Sequence, residues 1–495
     1  MAYLTTAGIE GALRYLASGY PTLCQLITMP EHSVEGRTIR AVKIGKGGGA
    51  NRRGVLYIGG VHARELVNPD MLVSLGFQMC QSYTQGTDIV LGGRTYQAST
   101  VKLIMDAMDV YLLPLVNPDG RTWVQSPAGY AMWRKNRRVN PGASCMGVDV
   151  NRNYDFLFSS GIGTSTDACS DVFRGPSAFS EPETRNVRWM LDSFPNIRGF
   201  IDVHSYSELV LLPWGDDSTQ TSDPGQNFAN PAYNGLRGNP GDTVYAEYMQ
   251  PDDNTWFFNA GNAVRDAIAA VRGRNYLVEH SVGLYPTSGT SDDYVYARHL
   301  VDTGKTKVYA LTIETAREFQ PAAAEAAQVI KEGCSALLQF STQVLCLADS
   351  LAADSAVELD MTALRHLRDH TLAGSVVGRR YVSQLAQHTP AMAQLLAGDP
   401  ELRNQCVEIL RDLRPALSAD GGTAVPEEVI KRIDKLAANL SRRKDADPDL
   451  AAALDGLRAD LEAFRGRPIA EGLHELDRKV ALPGRVATMS GRRAR

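Results

Sequence analysis

Three apolar runs in this chain each lead into a residue that binds metals or moves protons. Gly54-Val55-Leu56-Tyr57-Ile58 runs into Gly59-Gly60-Val61-His62-Ala63-Arg64-Glu65, Gly199-Phe200-Ile201-Asp202-Val203 into His204, and Val308-Tyr309-Ala310-Leu311-Thr312-Ile313 into Glu314. Short runs of this kind, β-branched and bounded by glycine or polar residues, predict buried strands. Helical spacing lies between them, from Pro69 to Ser82 with Met71, Leu72, Leu75, Met79 and Cys80 on one face, from Pro182 to Ser193, and from Pro321 to Leu345. Alternating strands and helices predict an α/β sheet covered on both faces. In such sheets the ligand crevice opens at the carboxyl ends of the strands, so His62, His204 and Glu314 are expected to share it.

Three further elements complete this part of the chain: a helix over residues 6 to 18, a strand from Ile39 to Ile44, and a strand from Val110 to Val116 ending in a turn at Asn117-Pro118-Asp119-Gly120. A polar, glycine-rich stretch from Tyr83 to Thr100 reads as a connection. Near Leu351 aromatic residues thin out, and Ala, Leu, Arg and Asp dominate. Val429, Ile433, Leu436 and Leu440 repeat at helical spacing, as do Leu454, Leu457, Leu461 and Phe464. The chain of 495 residues therefore divides into an α/β domain at 1–350, a helical domain at 351–480 and a basic, disordered tail at 481–495. His366, His370 and His388 are expected on solvated helix faces of the second part.

A net charge of −5, with no strongly basic region before the tail, argues against a nucleic-acid partner. No apolar run reaches the roughly 18 residues of a membrane span. The first residues, Met1 to Gly8, lack the charged and apolar regions of a leader, so the cytoplasm is the default location. Of seven cysteines, Cys24, Cys80, Cys334, Cys346 and Cys406 read as small buried apolar residues. Cys145 and Cys169 flank one polar segment and are the best disulfide candidates. That pair needs an oxidising compartment and points instead to secretion by another route.

His62 and Glu65 are spaced so that one imidazole and one carboxylate close on the same ion, and His204 supplies the third ligand. Two histidines and a glutamate leave zinc an open fourth position, the mark of a catalytic site. Such an ion lowers the pKa of its water and polarises a carbonyl. Glu314 is then the general base that takes the proton of that water and passes it to a leaving amine. In Met132-Trp133-Arg134-Lys135-Asn136-Arg137, Arg134 is placed to hold an oxyanion. In Gly147-Val148-Asp149-Val150-Asn151-Arg152-Asn153-Tyr154, Asn151 and Arg152 suit a terminal carboxylate, whose two oxygens match the guanidinium fork.

Together these residues resemble the M14 family of zinc metallocarboxypeptidases, in the carboxypeptidase A/B branch, over roughly residues 3 to 345. The resemblance implies a mixed, mostly parallel twisted sheet and one zinc per chain held by His62, Glu65 and His204. It further implies Glu314 as base, Arg134 at the oxyanion, and Asn151, Arg152 and Tyr285 on the substrate's terminal carboxylate, with Tyr285 on a loop that closes. Arg64 and Tyr206 match subsite positions, and Asp149 matches a carboxylate that orients the first zinc histidine. Cys145 and Cys169 lie where animal members carry a disulfide.

Within Leu284-Tyr285-Pro286-Thr287-Ser288-Gly289-Thr290-Ser291-Asp292-Asp293-Tyr294, Asp292 falls where B-type members have an acidic pocket base. Gly215 matches a small residue lining that pocket. The implied activity is hydrolysis of the C-terminal bond of peptides or proteins, with a preference for Lys or Arg. Two departures stand out: no N-terminal pro-segment is visible, and Asp216 to Asp253 is longer than usual for the family. Two other functions compete, a carboxypeptidase or endopeptidase of peptidoglycan stem peptides and a catalytically idle binding protein. The helical region leaves room for a protein partner.

Overall fold

The computed structural model describes residues 3–47, 52–239, 243–345, 361–417, 422–443 and 447–481. The chain forms two compact units, Met1–Ala353 and Asp354–Arg495. Cys346, residues 351–360 and the expected tail from 482 onward lie outside the described residues.

Eight strands build the sheet of the first unit: β1 (Cys24–Thr28), β2 (Arg40–Ile44), β3 (Arg53–Gly59), β4 (Met108–Leu113), β5 (Ile197–Ser205), β6 (Leu209–Leu212), β7 (Leu277–His280) and β8 (Tyr309–Thr315). Their order is β1-β2-β4-β3-β5-β8-β6-β7. The pairs β4–β3, β3–β5, β5–β8 and β6–β7 are parallel. The pairs β1–β2, β2–β4 and β8–β6 are antiparallel. This is the expected mixed, mostly parallel sheet flanked by helices. Every residue of β4 is buried, as is β3 from Gly54 onward. Such strands cannot alternate polar and apolar residues, which is why they read as continuous apolar runs. Buried polar tips find partners: the Tyr57 hydroxyl of β3 donates to Leu337 O at 2.8 Å, tying the strand to the helix Ala323–Val344.

The strand ends extend beyond their apolar runs. His204 lies inside β5 and Glu314 inside β8, and the two are paired across the parallel ladder. Asn117-Pro118-Asp119-Gly120 is not a free turn but the start of a helix, Pro118–Val124. The Asn117 side chain accepts from Gly120 N at 2.9 Å and Pro118 fills the first position, so turn and helix-start chemistry coincide here. The stretch read as a connection holds a hairpin, Ile89–Leu91 with Arg94–Tyr96, followed by the helix Ala98–Ala107.

Asp216 to Asp253 folds on itself around Arg237. That buried guanidinium donates to Asn227 O at 2.9 Å, Asn230 O at 3.2 Å and Asn234 Oδ1 at 3.0 Å, and lies 4.7 Å from the Tyr245 ring. Gln220–Thr221 pairs in parallel with Glu247–Tyr248.

The second unit is helical, as its spacing predicts. Its helices Val376–Gly398, Pro400–Leu413, Glu427–Ser441, Pro448–Asp460 and Ile469–Ala481 enclose a core that includes Val429, Leu461, Phe464, Leu473 and Leu476. Asp477 accepts from the Ser375 hydroxyl at 3.0 Å and from Val377 N at 2.9 Å, closing the start of the first of these. His388, expected on a solvated face, is buried, whereas His370 is exposed. Among the described residues, no helix is long and apolar enough to cross a membrane.

Candidate active site

The chain leaves β3 through Gly60, whose φ of +61° is a left-handed conformation that a side chain would strain. A Cβ there would also meet Leu115 Cδ1 at 2.9 Å and Pro69 Cγ at 3.0 Å. The turn that follows is closed by Glu65 N donating to His62 O at 3.2 Å. The Asn117 side chain braces it from outside, donating to Val61 O at 3.1 Å. His62 and Glu65 are thus folded back onto each other at the carboxyl end of β3. The next strand of the parallel sheet, β5, delivers His204 to the same place.

The three side chains are 3%, 2% and 1% exposed, and one donor atom from each lies within 4.8 Å of the other two. His62 Nδ1 is 2.7 Å from Glu65 Oε1, His204 Nδ1 is 3.1 Å from Glu65 Oε2, and the two Nδ1 atoms are 3.0 Å apart. The outer nitrogens face carboxylates: His62 Nε2 is 3.2 Å from Asp149 Oδ1, and His204 Nε2 is 2.9 Å from Asp202 Oδ2. A carboxylate at Nε2 keeps the proton there and turns the Nδ1 lone pair inward. A proton or a metal ion among these groups draws them together, and two imidazole nitrogens with one carboxylate are a donor set that fits a divalent metal such as zinc. In the protein alone, burial works against charge on His204, but Asp202 and Glu65 outweigh it and raise its pKa well above the ordinary value. Burial likewise opposes ionisation of Glu65, and the two histidines overcome it and hold the carboxyl far below its usual range.

Asp149 binds on two sides. Besides His62 it accepts from Arg134 Nε at 3.0 Å, and it caps the short helix Val150–Arg152 through Asn151 N at 3.0 Å. One buried carboxylate therefore positions His62, Arg134 and Asn151 together. Asn151 Nδ2 lies 3.4 Å from His204 Nε2, and its Oδ1 accepts from Ser291 N at 2.8 Å. Arg152 donates to Gly163 O and Asn151 O, while its buried Nη2 has no hydrogen-bond partner among the described residues. Its guanidinium is 5.7 Å from the ring of Tyr285, which is 44% exposed. Arg64 and Tyr206 meet on Phe319: the guanidinium sits 4.1 Å from that ring and the tyrosine packs edge-on at 4.8 Å.

Glu314 stands beside His204 on β8 and keeps partial exposure. Desolvation by the surrounding protein pushes its carboxyl up to about 8, with His204 opposing and Glu65 reinforcing the shift. A divalent ion among the three ligands would draw it back towards the charged form.

Asp292 is buried at the start of the helix Ser291–Val301 and accepts from the Ser281 hydroxyl at 3.2 Å. Its neighbour Asp293 is fixed differently, accepting from Gly215 N at 3.1 Å and the Thr290 hydroxyl at 3.0 Å. A Cβ at Gly215 would meet Thr287 Oγ1 at 2.1 Å and Asp293 Oδ2 at 2.8 Å, so only glycine fits there. Cys145 and Cys169 are joined, with S–S 2.10 Å.

Two contributors escape the sequence patterns. Asp202 stands two residues before His204, and on a strand that spacing puts both on one face. Asn68 donates to Glu65 Oε2 at 3.3 Å and accepts from the Thr315 hydroxyl at 3.1 Å, bridging the ligand turn to β8.

Two histidines and a glutamate at neighbouring strand ends, with a further glutamate alongside, suit a hydrolase built on a single metal ion. Residues 9–336 match the zinc carboxypeptidase family, and the chain belongs to it. Over 308 residues it is 32% identical to carboxypeptidase B of Astacus astacus, covering 60% of this chain and 85% of that one. It is 29% identical over 296 residues to carboxypeptidase A4 of Mus musculus, covering 60% of each, so the match spans less than two thirds of the mouse protein. The solved structure of bovine thrombin-activatable fibrinolysis inhibitor, in complex with tick carboxypeptidase inhibitor, shares the fold. Its TM-score is 0.54 at 20% identity, over 69% of this chain and 97% of that one. The helical unit beyond residue 353 lies outside the family match.

Proposed function

We propose that this chain is a metallocarboxypeptidase that removes a C-terminal Arg or Lys from peptides or proteins, using one zinc ion per chain. The observation that carries this reading is the inward convergence of two Nδ1 atoms and the Glu65 carboxylate, with a carboxylate behind each ring. His62, Glu65 and His204 hold the ion, which when bound supplies an electrophile for the scissile carbonyl and a more acidic water. Glu314 takes a proton from the attacking water and delivers it to the leaving nitrogen. Arg134, held by Asp149, receives the negative charge that develops on the carbonyl oxygen. Arg152, whose Nη2 has no partner among the described residues, Asn151 and Tyr285 bind the terminal carboxylate, which is what restricts cleavage to the last residue. Arg64 and Tyr206 contact the residues before it. Asp292 receives the basic side chain.

Metal analysis together with hydrolysis of two peptides differing only in C-terminal Arg or Phe tests this reading. One zinc per chain and faster release of Arg are expected. Faster release of Phe would overturn the assignment of Asp292, and absence of zinc would overturn the whole reading. Asp149→Asn is expected to weaken zinc binding by about 10–100-fold, because an amide no longer fixes the His62 tautomer. Competition with a chromogenic chelator measures this, and unchanged affinity would remove Asp149 from the metal site.

A further inference from the structure

Cys24 opens the edge strand β1, and Cys80 lies in the helix Val67–Gln85. They are 56 residues apart in sequence, yet their Sγ atoms lie 3.3 Å from each other. Both are buried, at 7% and 0% exposure. The other free cysteines described show no such pairing: the Cys334 sulfur faces Gln78 Nε2 at 3.6 Å and Met71 O at 3.7 Å. A disulfide needs its sulfurs about 2.05 Å apart, so at 3.3 Å the two sulfurs face each other directly, with nothing between them. The chain also carries Cys145–Cys169, whose second member is exposed. An exposed disulfide persists only in oxidising surroundings, and the same surroundings act on Cys24 and Cys80 as the chain folds.

We propose that Cys24 and Cys80 form a second, internal disulfide, closed during folding by exchange with a small-molecule disulfide of the glutathione type. The Cys24 thiolate attacks one sulfur of that disulfide and expels one thiolate, leaving a mixed disulfide on Cys24. The Cys80 thiolate then attacks the Cys24 sulfur, forming the Sγ–Sγ bond and expelling the second thiolate. The two cysteine protons end on the two released thiols, so one disulfide is reduced as one is formed. In the folded protein the hydrogen bond to Cys24, and then burial, keep the Cys80 thiol protonated. Exchange needs the thiolate, so closure precedes final packing of the helix, and the finished bond is shielded from reductants. The bond would fasten the sheet edge to the helix that follows Glu65 and carries Asn68.

Thiol mapping tests the proposal on the intact chain. Protein folded under oxidising conditions is denatured without reductant in N-ethylmaleimide, digested, and analysed by mass spectrometry. The expected result is a linked Cys24–Cys80 peptide pair, with label on Cys334, Cys346 and Cys406. Label on both Cys24 and Cys80, in protein where Cys145 and Cys169 are linked, would overturn it. A second measurement uses Cys145→Ser/Cys169→Ser, which retains the inner pair. Folded without a thiol reductant, it is expected to melt higher than when folded with one, by on the order of 5 °C. Equal melting temperatures would overturn the proposal independently.

Discussion

Glu314→Gln is expected to lower kcat/KM on a peptide ending in Arg by about 10²–10⁴-fold while leaving zinc content at the wild-type level. The amide matches the carboxylate in shape, so β8 and its pairing with β5 are undisturbed, but it cannot accept a proton. Glu314 is separate from the converging group formed by His62, Glu65 and His204, so all three of those donors stay in place without it. Metal analysis and steady-state kinetics on one preparation separate the outcomes. Loss of zinc would make Glu314 a ligand, and activity within a few-fold of wild type would remove it as the base.

Asp292→Ile is expected to reverse the preference between terminal residues. Burial pushes the Asp292 carboxyl up, with the Thr290 hydroxyl and the Asp293 N–H opposing, and among the described residues no ion pair holds it. A guanidinium or ammonium entering beside it would complete an ion pair away from water. Removing one partner of such a pair costs about 3–5 kcal/mol, which corresponds to about 10²–10⁴-fold in the Arg-to-Phe ratio of kcat/KM. Asp293 is left in place because Gly215 N and Thr290 already occupy it. An Arg-to-Phe ratio unchanged in the variant would show that the basic side chain is bound elsewhere.

What the sequence revealed, and what it hid, follows from the length over which each pattern acts. His62, His204 and Glu314 were legible because each follows an apolar run, and a parallel sheet brings such ends to one edge. Glu65 was legible because a three-residue turn returns it to His62. Asp202 stood in plain sight beside His204, yet its apolar neighbours made it read as part of a buried strand. Asn68 gave no pattern at all and Asn117 only its local turn, since their partners Thr315 and Val61 come from distant parts of the chain. The short strands β1, β6 and β7 were missed for a related reason. Runs of four or five residues carry little periodicity, so of these only β2 registers, and the ladder partner that fixes the others is set by the fold. The family resemblance assigned Arg152 and Tyr285 to one substrate group, and side-chain geometry put the guanidinium against that ring.

His62 and His204 are 142 residues apart in sequence. Of this site, an unfolded chain offers a metal only the local pair His62 and Glu65; the third donor arrives when β5 docks on β3. Most of the ion's affinity therefore belongs to the native state, and free metal shifts the folding equilibrium by RT ln(1 + [L]/Kd). A bound ion would thus add stability that the metal-free domain lacks, apart from any turnover it supports.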